Sequence, residues 1–184
     1  TRHLTNDYSS LTSDKKVKAG SSLPKLSGGF QSDLTWKDLS LSMLFSYGIG
    51  GKIYNNDITM LMKVNGGNGD SMSKELLNRW TPENTHTDIP RLTQDGTSKF
   101  TSSSTRWLVD RSFLRLKTIT LNYNLPKSWL HPLTVKDASV FVQGENMLTF
   151  SKQQGLDPEQ PVSGMASFRY PAMKTISFGT NVKL

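Results

Sequence analysis

The sequence predicts an all-β, antiparallel fold, a portion of a transmembrane β-barrel with long extracellular loops, on three observations. Five stretches alternate apolar and polar residues with a period of two, and the connections between them alternate short and long. No stretch approaches the roughly 20 consecutive apolar residues that a spanning helix requires. Mean hydropathy is -0.46 over 184 residues. Such a value fits a barrel wall, because only one face of each strand meets lipid and about 10 residues make a crossing.

The first strand runs from Leu26 to Trp36, with Leu26, Gly28, Phe30, Leu34 and Trp36 opposed to Ser27, Gln31, Asp33 and Thr35. The second, Leu39 to Ile49, sets Leu39, Leu41, Met43, Phe45, Tyr47 and Ile49 against Ser40, Ser42, Ser46 and Gly48, with Leu44 as its one exception. Lys37-Asp38 joins them as a tight hairpin. The third strand spans about Phe113 to Leu125, the fourth Ala138 to Phe150 and the fifth Ala172 to Leu184. In the fifth, Ile176, Phe178, Val182 and Leu184 alternate with Ser177, Asn181 and Lys183, as in the closing strand of an outer-membrane barrel.

Loop length orients the sheet. Barrels of the outer membrane keep short turns on the periplasmic side and long loops outside, with the C-terminus in the periplasm. On that rule Lys37-Asp38 and Pro126 to Asp137 are periplasmic, while Lys52 to Ser112 and Ser151 to Pro171 are extracellular. Trp36 and Tyr123 then approach the inner boundary, and Tyr47 and Phe150 the outer one, as aromatic girdles do. Arg115 and Lys117 are expected on the face of Ile119, Leu121 and Tyr123. Near an interface that placement costs about 0–1 kcal/mol, against about 2–4 at the bilayer midplane. A soluble β-sandwich ligand-binding module, or an accessory domain of a secreted carbohydrate-active enzyme, would also alternate. Neither accounts for a loop of some 60 residues beside a two-residue turn, since connections in compact domains have a median of about four to six residues.

The charge of +7 and pI of about 9.6 do not amount to a nucleic-acid footprint, because Lys and Arg are scattered and no basic run is interleaved with aromatics. With no cysteine, a disulfide framework and thiolate metal sites are excluded. His3, His86 and His131 lie in three separate loops and form no metal-binding or triad pattern, so neither metal nor cofactor nor enzymatic activity is expected. Asp157 and Glu159 are a close carboxylate pair, but a spacing of two around Pro158 fixes no opposed glycosidase geometry and reads as a turn. Gly48-Ile49-Gly50-Gly51-Lys52 lacks phosphate-loop spacing and reads as a bend. Asn65-Gly66-Gly67-Asn68-Gly69-Asp70 lacks the ligands of a calcium loop and reads as a flexible tip before a short helix near Ser71 to Arg79.

Several ordered motifs carry a resemblance over most of the chain from about Leu23 onward. They are Asn78-Arg79-Trp80-Thr81-Pro82-Glu83-Asn84, the strand Leu114 to Pro126, Gly144-Glu145-Asn146-Met147-Leu148-Thr149-Phe150, Asp157-Pro158-Glu159, and Tyr170-Pro171 leading into Thr175 to Gly179. Together they resemble the C-terminal end of SusC/RagA-type TonB-dependent transporters. The resemblance implies a 22-stranded barrel of the bacterial outer membrane that contains an N-terminal plug, imports glycans or peptides, and works with a SusD-like surface lipoprotein as its lid. Its partners would then be that lipoprotein, the lipid bilayer, the remaining strands and plug, and TonB acting through the plug. The plug and the TonB-contacting segment have no counterpart here, and Thr1-Arg2-His3 opens no export signal, so the chain reads as a portion of a longer protein. Residues 1–25 are expected to be an extracellular loop or junction, and 26–184 the barrel portion with its long extracellular loop at about 52–112. In that loop Trp80, Arg91, Trp107 and Arg111 are the candidates for contact with substrate or partner, offering stacking faces and forked donors.

Overall fold

A computed structural model describes residues 12–64, 69–94, 98–131, 135–153, 155–159, 163–166 and 168–184. His3 and the stretch Asn65 to Asn68 lie outside the described residues. Five long strands form one antiparallel meander: β1 (Leu26–Trp36), β2 (Leu39–Ile49), β5 (Phe113–Asn124), β6 (Asp137–Ser151) and β8 (Thr175–Lys183). Three short strands between them, β3 (Lys52–Asn55), β4 (Leu108–Asp110) and β7 (Met165–Ala166), make a second sheet in the order β4-β3-β7. Lys37 takes a φ of 53°, the left-handed geometry that suits the first turn position between twisted antiparallel strands.

Register carries the apolar face across all five strands. Leu34 lies opposite Leu41, Leu41 opposite Leu121, Leu121 opposite Val142 and Val142 opposite Phe178. One residue along, the row is Asp33, Ser42, Thr120, Gln143 and Ser177. Gln31 bridges to Asp33 at 2.9 Å, and Gln143 to Glu145 at 2.9 Å, so the polar row bonds to itself along its strands. Among the described residues no layer covers the apolar row: Trp36 is 71% and Phe178 76% exposed. In water such a continuous apolar sheet face would be an association site, and in hydrocarbon it is the ordinary outside of a barrel wall.

One irregularity changes the facing of a strand. Between Leu116 and Thr118 the pairing of β5 skips Lys117, and on β6 it skips Asn146 and Met147. Asn146 adopts φ 52°, a conformation that Asn tolerates better than most residues, and the pair forms a β-bulge. Leu116 therefore lies opposite Phe45 and Leu114 opposite Tyr47 on the apolar face, while Arg115 lies opposite Ser46 on the polar one. This corrects the expected placement of Arg115 and Lys117 beside Ile119. The bulge slips the alternation by one residue, and both cations end on the inner side, where each reaches Glu159.

Most of the core lies beyond the sheet, with Leu116 of β5 as an exception. Ile53, Met62, Val64, Leu76, Ile89 and Trp107 are buried in the connection between β2 and β5, which also holds helix α1 (Asn56–Leu61) and a 3-10 turn at Lys74–Asn78 in place of the expected longer helix. Asn55 caps α1 by accepting a hydrogen bond from the Ile58 amide at 3.1 Å. At the opposite end of the sheet the connections are the Lys37-Asp38 turn and the segment containing helix α2 (Lys127–Leu130), whose Leu130 is buried.

Candidate functional site

The loops at the end of the sheet where β2 and β6 finish make a single cap, and its construction begins with two glycines. Gly50 and Gly51 take φ of 76° and 81°, and a Cβ on Gly51 would stand 3.0 Å from the Leu23 carbonyl oxygen. Only glycine turns the chain this sharply from β2 into β3 while passing so close to residue 23. The Lys52 amide then bonds the Ser21 carbonyl at 2.8 Å, and the Tyr54 amide bonds the Gly164 carbonyl at 2.8 Å. Three chain segments that are far apart in sequence thus meet over the end of the sheet.

Two arginines fasten them. Arg111 is 5% exposed and donates from Nε to the Pro158 carbonyl at 3.0 Å, from Nη1 to the Ser22 carbonyl at 2.7 Å and from Nη2 to the Glu159 carbonyl at 3.2 Å. Its planar fork spreads three donors from three separate nitrogens over three backbone acceptors, a fixed geometry that the point-like ammonium of Lys does not have. Arg115 donates to Asp157 and to Glu159 at 2.6 Å each, and to the Thr149 hydroxyl at 3.0 Å. Lys117 adds a second cation to Glu159 at 2.7 Å. Burial pushes the Asp157 carboxyl up, but hydrogen bonds from Arg115 and from the Glu159 and Ala172 amides, with the Arg115 charge, outweigh it and hold the carboxyl below the usual aspartate range. The Asp157-Pro158-Glu159 segment is therefore an ion-paired anchor for the loop.

The four expected contact residues separate into two pairs. Trp107 is 5% exposed, set edge-on to Phe100 with ring centroids 5.4 Å apart, and belongs to the cluster of Met62, Val64, Leu76 and Ile89. With its ring enclosed and Arg111 committed to three carbonyls, neither is available as a contact surface, which corrects that expectation. Trp80 is 41% exposed and Arg91 is exposed, so both stay at the surface of the cap. Residue type could not divide the pairs, since each contains one Trp and one Arg. Asp157 and Glu159 were legible as a pair, and their cations were not, because the bulge at Lys117 decides which way Arg115 points.

Beside the Trp107 cluster the cap opens into a cleft of about 830 Å³, with Asn55, Glu75, Asp88, Arg106, Lys152 and Gln153 in its lining. Arg106 meets Asp88 at 2.9 Å and lies 4.6 Å from the centroid of Phe100.

A sheet with one uncovered apolar face, one polar face and a consolidated cap at one end has close counterparts among solved structures. The chain superposes on the RagAB peptide transporter with a TM-score of 0.81, at 34% identity, over 97% of this chain and 19% of that one. On the RagAB peptide importer in its closed-closed state the TM-score is 0.75 at 35% identity, over 88% and 17% of the two chains. The chain is similar to a barrel portion of TonB-dependent transporters of the SusC/RagA type. Among curated proteins, this chain is 30% identical to TonB-dependent receptor P3 of Formosa agariphila over 183 residues, and 33% identical to TonB-dependent receptor P26 of the same organism over 192. It spans 17% and 19% of the lengths of those receptors. No family model matches it.

Proposed function

We propose that this chain forms wall and extracellular loops of a TonB-dependent nutrient importer in the bacterial outer membrane, taking up glycans or peptides with a SusD-like lipoprotein. The observation that carries the reading is the uncovered apolar row from Leu34 through Leu41, Leu121 and Val142 to Phe178, backed by a polar row on the other face. A five-stranded sheet alone would leave unpaired edges in lipid, each orphaned backbone group costing several kcal/mol, so the remaining strands of a barrel must flank β1 and β8. Energy for import would enter through the plug, and these strands supply enclosure.

Likeness to a peptide importer supports import, and the loop lengths support an orientation with the cap outside. On this reading residues 26–184 are barrel wall with the 52–112 loop outside, and 1–25 are an outer loop or junction. An epitope inserted at Gly67 in the intact transporter should be labelled on whole cells, and one inserted at His131 only after the outer membrane is permeabilised. Labelling in the reverse order would invert the orientation. Failure of the intact protein to sediment with outer membranes would remove the barrel reading altogether.

A further inference from the structure

We propose that the outward face of the wall carries a site for an anionic phospholipid of the periplasmic leaflet, seated in an apolar groove along β6 with its phosphate against Lys37 and Lys136. The proposal rests on the barrel reading and goes beyond general contact with lipid by naming a groove and a headgroup. The groove has a volume of about 560 Å³ and opens on the uncovered apolar face, where two cross-strand rows line it. One row runs Leu39, Tyr123, Val140 and Thr180, and the next Leu121, Val142 and Phe178. In both rows the valine of β6 is smaller than the Tyr123, Leu121 or Phe178 beside it, so the face is hollow along that strand. The hollow also has an end. One step further along β6 is Gly144, and a Cβ there would stand 2.8 Å from Met147 Cγ and 3.2 Å from Ile119 Cγ2, so those two side chains fill the space. The strand from Tyr123 to Ile119 covers roughly 14 Å, against about 15 Å for half of a hydrocarbon core. The groove therefore starts at the inner boundary and stops within one leaflet, which fits an acyl chain entering from the periplasmic side.

Polarity along the groove is ordered as it is along a phospholipid. The row of Leu121, Val142 and Phe178 is wholly apolar, and the row nearer the periplasm adds the hydroxyls of Tyr123 and Thr180, the polar side-chain groups of this lining, at the level of the ester carbonyls. Cations come next. Trp36 lies opposite Leu39 at the end of that row, and Lys37 Nζ stands 5.2 Å from the centroid of the Trp36 ring, which keeps it on the outward side of the turn. Lys136 continues the outward phase of Val140 and Ala138, and its exposed side chain reaches the Leu184 carbonyl at 3.1 Å. The acidic groups of the same margin fall in the other phase. Asp137 lies opposite Lys183, and Asp38 precedes Ser40 and Ser42 by the two-residue step. With Lys37 and Lys136 outward and both carboxylates inward, the lipid-facing margin attracts a phosphate and favours a headgroup of net negative charge.

The test uses the full-length transporter, extracted from outer membranes in a mild detergent, with phosphatidylglycerol and phosphatidylethanolamine added separately and bound lipid measured by native mass spectrometry. The expected result is retention of phosphatidylglycerol in preference to phosphatidylethanolamine, a preference that falls about fivefold in Lys37→Gln or Lys136→Gln and about thirtyfold in the double variant. Val142→Trp fills the groove and should abolish retention, while Leu34→Trp, on the same face but outside the groove, should hold lipid as the wild type does. Heat-modifiability shows that each barrel is assembled. Lys37 and Lys136 are exposed and lie beyond the strand ends, so their variants read the site even where Val142→Trp fails to assemble. Equal retention of the two lipids by the wild type, undiminished retention by an assembled Val142→Trp, or a wild-type preference in the lysine double variant would each overturn the proposal. The barrel reading fails by a different result. A transporter that does not sediment with outer membranes removes the wall itself, whereas one that sediments and holds both lipids alike removes only the groove.

Discussion

The five-stranded sheet and the cap use the same residue types in opposite ways. In the sheet the large apolar side chains lie at the surface and the small polar ones line the other face, with no second layer among the described residues to bury either. In the cap, Met62, Val64, Leu76, Ile89 and Trp107 close into an interior, and the ionised Arg111, with Arg115 at the adjoining end of β5, is buried with its partners. The difference teaches that the two regions face different solvents. On the barrel reading, apolar exposure of the sheet is solvation by hydrocarbon, whereas the cap obeys the ordinary rules of a water-soluble domain that must build its own core.

If that contrast holds, damage should follow opposite rules in the two regions. The largest expected effect is Trp107→Ala, which empties the cap core at a cost of about 3–5 kcal/mol. It should lower surface abundance of the intact protein on quantitative blots, and unchanged abundance with lost nutrient growth would return Trp107 to the contact surface. Arg115→Met should cost a similar amount, about 3–5 kcal/mol, because it leaves the buried Asp157 carboxylate without its cation. The double change Arg115→Met with Asp157→Leu should recover most of that loss in a thermal melt, and no recovery would mean that Arg115 acts through something other than this pair.

In the sheet the sensitive change is the addition of charge, not truncation. Met43→Arg places a cation on the apolar face near the middle of β2 and should cost about 2–4 kcal/mol, with Ser42→Arg on the opposite face much milder. Equal losses in heat-modifiability assays of barrel assembly would remove the distinction between the faces. The smallest effect at neutral pH concerns Asp157. Its carboxyl is held below the ordinary value in the folded state, so its stabilising contribution is complete above the unfolded value of about 3.9 and is lost as pH falls through the lower folded one. Pepsin cleavage between residues 152 and 174 should therefore rise only in strong acid, and Asp157→Asn should flatten that dependence. A rise between pH 5 and 7 would assign the anchor to another group.

The strands were legible because a sheet between two environments writes its period directly into the sequence, and β1 and β2 begin and end where alternation does. The cap core was not legible. Its members, Met62, Val64, Leu76, Ile89 and Trp107, are separated by irregular intervals, and loops that fold on themselves have no period to reveal which Trp turns inward. The bulge lay between these extremes. Leu114 and Leu116 fall on even positions and Ile119, Leu121 and Tyr123 on odd ones, so the slip was visible as a change of phase at Lys117, while its consequence for Arg115 needed the paired strands to be seen.

That bulge also governs which changes in chain length the wall can absorb. Removing a residue from the middle of a paired strand, at Thr120 for example, reverses the facing of everything on one side and would deliver Arg115 into hydrocarbon. Lys117 is already left out of the pairing with both neighbouring strands. Its deletion would forfeit one contact to Glu159 yet leave Phe113 to Leu116 facing as before. Of all positions along β5, this is where the strand can lose a residue and keep its inside and outside unchanged.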